Sequence, residues 1–273
     1  MSVAAVGGHP SAVAQKGRAM KRWFPWVNLA TVIVALVVNG LANALPLNGQ
    51  STGALSDKFK VFFVPAGYVF AIWGVIYIAL IAFTVYQLLP AQRDNPRLAR
   101  IGWLFAFSNL ANAAWLFTWH YELLPLSVVV MLALLLSLIG IYVRLNIGRA
   151  RVTTIEKWCV DVPFSIYLGW ISVATIANIT DLLYAWQWDG FGIAPELWAA
   201  VMLVIASALA LAMTWTRRDL AYLMVLAWSF IGIAAKQSAV MVVANTAWVM
   251  TAFVVLLMAL SVWLRARPSV AAS

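Results

Sequence analysis

The chain has 273 residues, a net charge of +9, and a composition that is 64% hydrophobic but only 10% charged. Soluble domains carry about a quarter charged residues, so a soluble enzyme or nucleic-acid-binding module is excluded. The single cysteine, Cys159, excludes an intrachain disulfide and a cysteine metal cluster.

A membrane-spanning helix needs about 20 mostly apolar residues, because the hydrocarbon layer is about 30 Å thick. Several apolar runs reach that length without alternating with a period of two, so helices rather than barrel strands are expected. In chain order the expected spans are Trp23–Ala44, Pro65–Leu89, Ala99–Thr118, Leu123–Leu145, Trp158–Thr180, Pro195–Trp215, Leu220–Ala235 and Val240–Leu264. The seventh is short and ends at Lys236, which together with Gln237 reads as an interfacial pair or, deeper, as functional polar groups. Residues 1–22 are small and polar and read as a disordered tail; residues 266–273 form a C-terminal tail. The longest loop is Leu45–Val64, and no soluble domain interrupts the spans.

The basic residues support eight spans. With loops assigned to alternate sides, fifteen Lys and Arg fall on one side and three on the other. The positive-inside rule makes the rich side cytoplasmic and places both termini there. The first span, with its basic flank and Ala42-Asn43-Ala44, also imitates a cleaved signal peptide, although its apolar run is longer than an ordinary h-region. Ala-, Leu- and Arg-rich usage points to a bacterial inner membrane.

Ten of the fifteen tryptophans lie near span ends, where indoles favour the headgroup level: Trp23, Trp26, Trp103, Trp119, Trp158, Trp186, Trp188, Trp198, Trp215 and Trp263. Five lie inside spans: Trp73, Trp115, Trp170, Trp228 and Trp248. Helical rise places Trp73 about 12 Å, Asn112 about 9 Å and Trp170 about 15 Å from the outer ends of their spans, with Trp115 and Asn178 shallower. Aromatic and amide side chains from three helices thus gather in the outer half. Amides are costly in lipid, so Asn112 and Asn178 are expected to face inward. Ala174, one turn after Trp170, shares its face and leaves room beside it. Two readings stay open: the amides Asn109, Asn112 and Asn178 hold helices together, or they orient a flat, apolar ligand in an aromatic cavity.

Three motifs carry a family resemblance. The run Pro65-Ala66-Gly67-Tyr68-Val69-Phe70-Ala71-Ile72-Trp73-Gly74-Val75-Ile76-Tyr77 resembles the second helix of the TspO/MBR family, the tryptophan-rich sensory or translocator proteins. Asn112-Ala113-Ala114-Trp115 resembles the third-helix Asn-x-x-Trp, and the segment from Trp170 through Ala174 and Thr175 to Asn178 resembles the fifth-helix pattern. The departures are Ala71-Ile72 where Gly-Pro is usual, a Pro163 one turn early, and three spans beyond the usual five. The resemblance implies an all-α membrane protein with a five-helix bundle over residues 23–190 and an additional three-helix region over 191–265. It implies a pocket beneath the loop joining helices one and two, between helices 1, 2, 3 and 5, with Leu45–Val64, including Pro46, Asn48 and Gly49, as its lid. Carried over by motif, Trp73, Tyr77, Asn112, Trp115, Trp170, Ala174 and Asn178 would bind the ligand.

The function so implied is a receptor or carrier for a tetrapyrrole, with no cofactor required beyond a bound porphyrin or haem-like ligand. Lys58 and Lys60 of the lid could attract propionates. Besides the bilayer and a small hydrophobic ligand, the implied partner is a second copy in a homodimer, with spans six to eight covering part of the bundle surface; nucleic acid is not expected. One alternative is light-dependent porphyrin breakdown using Trp73 and Trp170. The only histidines are His9 and His120, and His120 with Glu122 reads as a solvated turn rather than a haem or metal site. The other alternative is a secondary transporter. Its expected intramembrane acid is represented only by Asp161, which reads more simply as a helix-start residue.

Overall fold

The computed structural model describes residues 12–44 and 47–266, with the side chains of 12–22 and 43 set aside. The described chain is all helix and connecting turns. Its helices are α1 (Ala12–Ala44), α2 (Thr52–Lys58), α3 (Ile72–Leu88), α4 (Pro96–Ala99), α5 (Leu104–His120), α6 (Leu124–Arg144), α7 (Thr154–Glu156), α8 (Val162–Ala185), α9 (Pro195–Thr216), α10 (Leu220–Lys236) and α11 (Met241–Ala266). A 3₁₀ segment, Gly67–Ala71, leads into α3, and one π-helical turn, Lys157–Asp161, leads into α8.

Six of these stretches are long and apolar enough to cross a membrane: Trp23–Ala42, Gly67–Leu88, Leu124–Arg144, Thr154–Ala185, Pro195–Thr216 and Met241–Ala266. The other two expected spans appear as α5 and α10, each of 17 residues. Helix α1 runs back to Ala12, so the first helix starts well before the expected Trp23. His9, Pro46 and the C-terminal tail from residue 267 lie outside the described residues.

Local sequence explains the helix starts. Ser51 caps α2 by accepting from the Ala54 amide, and Asn95 caps α4 from Arg97 and Leu98. Prolines sit in the first turns of α6 and α9, where a missing N–H costs nothing. Pro163 follows directly on the π turn inside the continuous helix Thr154–Ala185.

Helix α5 packs between α1 and α6, α6 packs on α8, and α3 bridges α1 and α8. Phe83, Phe105 and Phe164 meet edge to face at 4.8–5.5 Å between centroids and seal the core where α3, α5 and α8 converge. At the end away from the lid, Arg97 ion-pairs with Glu156 at 2.9 Å and with Asp161, and donates to the Leu145 carbonyl at 2.9 Å. Asp161 makes no capping bond to α8. It is an ion-pair partner of Arg97, which corrects the helix-start reading.

The three C-terminal helices are built into the same body. Helix α10 packs on α8 and on the Gly67–Ala71 turn, while α9 and α11 pack on α10 and on each other. The Ala66 amide donates to the Gly232 carbonyl at 3.0 Å. A Cβ on Gly232 would lie 2.2 Å from Cγ2 of Val69, so only glycine permits this approach. Asp219 joins the two regions: Oδ1 caps α10, and Oδ2 accepts from Tyr142 at 2.7 Å and Ser165 at 2.5 Å.

Candidate functional site

Trp73 is the centre of an aromatic cluster. Its ring lies 5.5 Å from Tyr77, 6.4 Å from Trp115, 6.2 Å from Tyr167 and 6.1 Å from Trp170, centroid to centroid. Phe70 meets Trp170 edge to face at 5.7 Å, and Trp115 stacks on Trp119 at 5.8 Å. The rings come from α3, α5, α8 and the turn before α3, so a bundle of helices assembles what a single helix face cannot.

A cavity opens against this cluster. Its walls are Phe70, Trp73, Trp115, Trp119, Trp170, Val173, Ala174, Ala177, Asn178 and Asp181, and its roof is Thr52, Ser56, Val64 and Pro65. The roof comes from α2 and the segment after it, which places the lid over the cavity. Trp73, Trp115, Trp170, Ala174 and Asn178 line the space; Tyr77 and Asn112 do not. Tyr77 stacks behind Trp73 and donates its hydroxyl proton to Asn39 Oδ1.

The amides hold helices together. Asn39 Nδ2 donates to Asn112 Oδ1 at 2.9 Å, linking α1 to α5. Asn109 donates to Thr31 Oγ1 at 3.2 Å. Asn178 accepts from Trp115 Nε1 at 3.2 Å and donates to Ser127 Oγ at 2.9 Å, linking α8 to α5 and α6. Asn178 alone among the three both bridges helices and faces the cavity.

The lid is fastened at several points. Lys58 pairs with Glu122 at 2.5 Å, and Asp57 pairs with Lys236 of α10. Asn48 donates to the His120 carbonyl at 3.0 Å, and Gln237 donates to the Phe62 carbonyl at 3.2 Å. His120 is 1% exposed, with Nδ1 2.8 Å from the Leu116 carbonyl and Nε2 3.4 Å from Thr52 Oγ1. It is therefore a buried support under the lid, not part of a solvated turn. Lys236 and Gln237 are lid anchors. Lys58 is committed to Glu122, and Lys60 lies on the wall of a different cavity.

That second cavity, about 320 Å³, lies on the other face of α8, between Phe62, Phe63, Ile176, Leu183, Trp188 and Trp198. The segment 60–65 partitions the two spaces: Phe63 lines one and Val64 the other. The first cavity has only about 40 Å³ of open space.

Five wall residues escaped sequence reasoning, Phe70, Trp119, Val173, Ala177 and Asp181, and two of them change the character of the site. Trp119 is 3% exposed and stacked on Trp115, not at the interface belt, although eight of the nine other assigned belt tryptophans are exposed. Its spacing of four from Trp115 was the available signal. Asp181 is 1% exposed, because α8 continues to Ala185 instead of ending at Thr180. Its spacing of three from Asn178 puts it on the cavity face.

Among the described residues no group of three or more His, Cys, Asp or Glu could hold a metal ion. The site is thus an aromatic-walled, amide-braced cavity under a lid, inside a polytopic helical membrane protein. The sequence profile of a family described as TSPO-like protein matches residues 25–260, running through the three C-terminal helices as well as the first five spans. The chain belongs to that family. No curated protein and no solved structure matches it.

Proposed function

We propose that this protein is a membrane receptor or carrier for a flat, mostly apolar ligand of the tetrapyrrole class, bound beneath the lid. The observation that carries this reading is the convergence of Phe70, Trp73, Trp115, Trp119 and Trp170 on one cavity roofed by α2. Such walls bind flat apolar molecules by burial and ring contact. Sites for drug-sized ligands are about 300–1,000 Å³, and the closed cavity offers about 40 Å³. Binding therefore requires the lid to move. The lid's ion pairs are partly exposed, with Lys58 and Glu122 side chains 50% and 34% accessible. Exposed pairs contribute only about 0–1 kcal/mol each, so the lid is held shut without being locked. Withdrawal of the segment 60–65 would join the two cavities and provide the missing volume.

The distribution of Lys and Arg supports cytoplasmic termini, and the Ala-, Leu- and Arg-rich composition a bacterial inner membrane. A homodimer would have to use a surface other than the α8 face that α10 occupies.

The test is titration of the detergent-purified protein with protoporphyrin IX in the dark, followed by tryptophan fluorescence. Saturable quenching at micromolar porphyrin, weakened in Trp170→Phe and Trp73→Leu, is the expected result. Quenching that never saturates, or that ignores both substitutions, would leave partitioning into the detergent as the explanation and remove the tetrapyrrole reading.

A further inference from the structure

Two buried polar atoms on the wall of the lid cavity have no hydrogen-bond partner: Asp181 Oδ1 and Trp170 Nε1. Their residues are 1% and 2% exposed. Buried polar groups are nearly always partnered, and a buried carboxyl without one is among the costliest arrangements in a protein. The cation that acts on Asp181 through space is Lys236, and its ammonium is already ion-paired with Asp57 of the lid. Asp181 takes no part in the Asn178 bridge that fastens α5 and α6 to α8. Helix bracing therefore does not account for it.

Trp170 and Asp181 are the first and last α8 residues on the cavity wall. Trp170 precedes Asp181 by eleven residues on one helix, a rise of about 16 Å. Between them the α8 wall is apolar except for Asn178, whose amide is already bonded to Trp115 and Ser127. We infer, building on the reading that this cavity is the ligand site, that its ligand is a flat aromatic molecule with a protonated amine or N–H donor on the edge facing Asp181. An acceptor atom on the inner end would meet Trp170 Nε1. In a dry, low-dielectric site a charge-assisted hydrogen bond to Asp181 selects strongly for such a ligand. A neutral hydrocarbon of the same shape leaves the carboxyl unpaired.

The experiment compares two probes of one shape: the proflavine cation, which carries amines on a fused three-ring frame, and anthracene, which has the frame alone. Affinities are measured by calorimetry on the full-length protein in detergent. Proflavine is expected to bind about tenfold or more tighter than anthracene. Asp181→Asn should abolish that preference, and Asp181→Glu should retain it. Equal affinities in the wild type, or a preference that survives Asp181→Asn, would overturn the assignment. If Trp170→Phe still weakens both probes equally in that case, the cavity stands as a ligand site and only the role of Asp181 falls. If neither probe binds saturably, the role of Asp181 falls, and the protoporphyrin titration decides the tetrapyrrole reading separately.

Discussion

The indole Nε1 of Trp115 donates to Oδ1 of Asn178 at 3.2 Å, and this bond ties α5 to α8 inside the cavity wall. The same amide donates to Ser127 at 2.9 Å, so three helices meet at one side chain. Asn178→Ala removes both bonds and leaves a buried indole N–H unpaired. A loss of about 1–3 kcal/mol is expected, read as a lowered thermal midpoint in detergent. Asn178→Gln, which keeps the amide but lengthens the arm, should recover part of it.

Asn112 and Trp170 carry different duties and should separate experimentally. Asn112 is bonded to Asn39 and lies off the cavity lining, whereas Trp170 is on it. Asn112→Ala should lower stability by about 1 kcal/mol, with little effect on porphyrin affinity. Trp170→Phe should weaken affinity several-fold with a smaller stability change. Parallel melting curves and dark titrations on the two variants check this.

The lid pairs Asp57 with Lys236 and Lys58 with Glu122. Replacing Asp57 by Asn and Glu122 by Gln together should change global stability by no more than about 1 kcal/mol per pair. It should nevertheless open the roof more often. Stopped-flow quenching is expected to show a faster association rate for the porphyrin in the double variant. High salt should have the same effect on the wild type, because partly exposed pairs are screened.

Gly232 is the point where α10 meets the turn before α3. Any side chain there collides with Val69, whose Cγ2 would lie 2.2 Å from the new Cβ. Gly232→Ala should destabilise by about 1–3 kcal/mol through overpacking. Val69→Ala in the same chain should restore part of the loss, a coupling that a double-mutant cycle measures.

The positive-inside count predicts a cytoplasmic C-terminus. A fluorescent reporter that matures only in the cytoplasm, fused after residue 273, should be bright. A phosphatase active only outside the cytoplasm should be silent at that position and active when inserted near Lys58. The opposite pattern would invert the topology.

Eight helices were legible in the sequence, because the bilayer demands long apolar runs and leaves charges to the connections. The aromatic layer was legible too: helical rise alone put Trp73, Trp115 and Trp170 in the outer half of their spans. Depth is a property of one helix, but facing is a property of the packed bundle. Nothing local distinguishes Asn112, turned to Asn39, from Asn178, turned to the cavity. Trp119 and His120 have the composition of an interface, and only the lid folding over them buries both. Asp181 was hidden by a span boundary a few residues too short. The fate of each lid cation depended on a partner far away in the chain, Lys58 on Glu122 and Lys236 on Asp57. Hydrophobic length and periodicity are written residue by residue, so the sequence alone specified the class, the spans and the aromatic layer. Which polar group braces a helix and which faces a ligand depends on contacts between distant segments, and only the tertiary structure decided it.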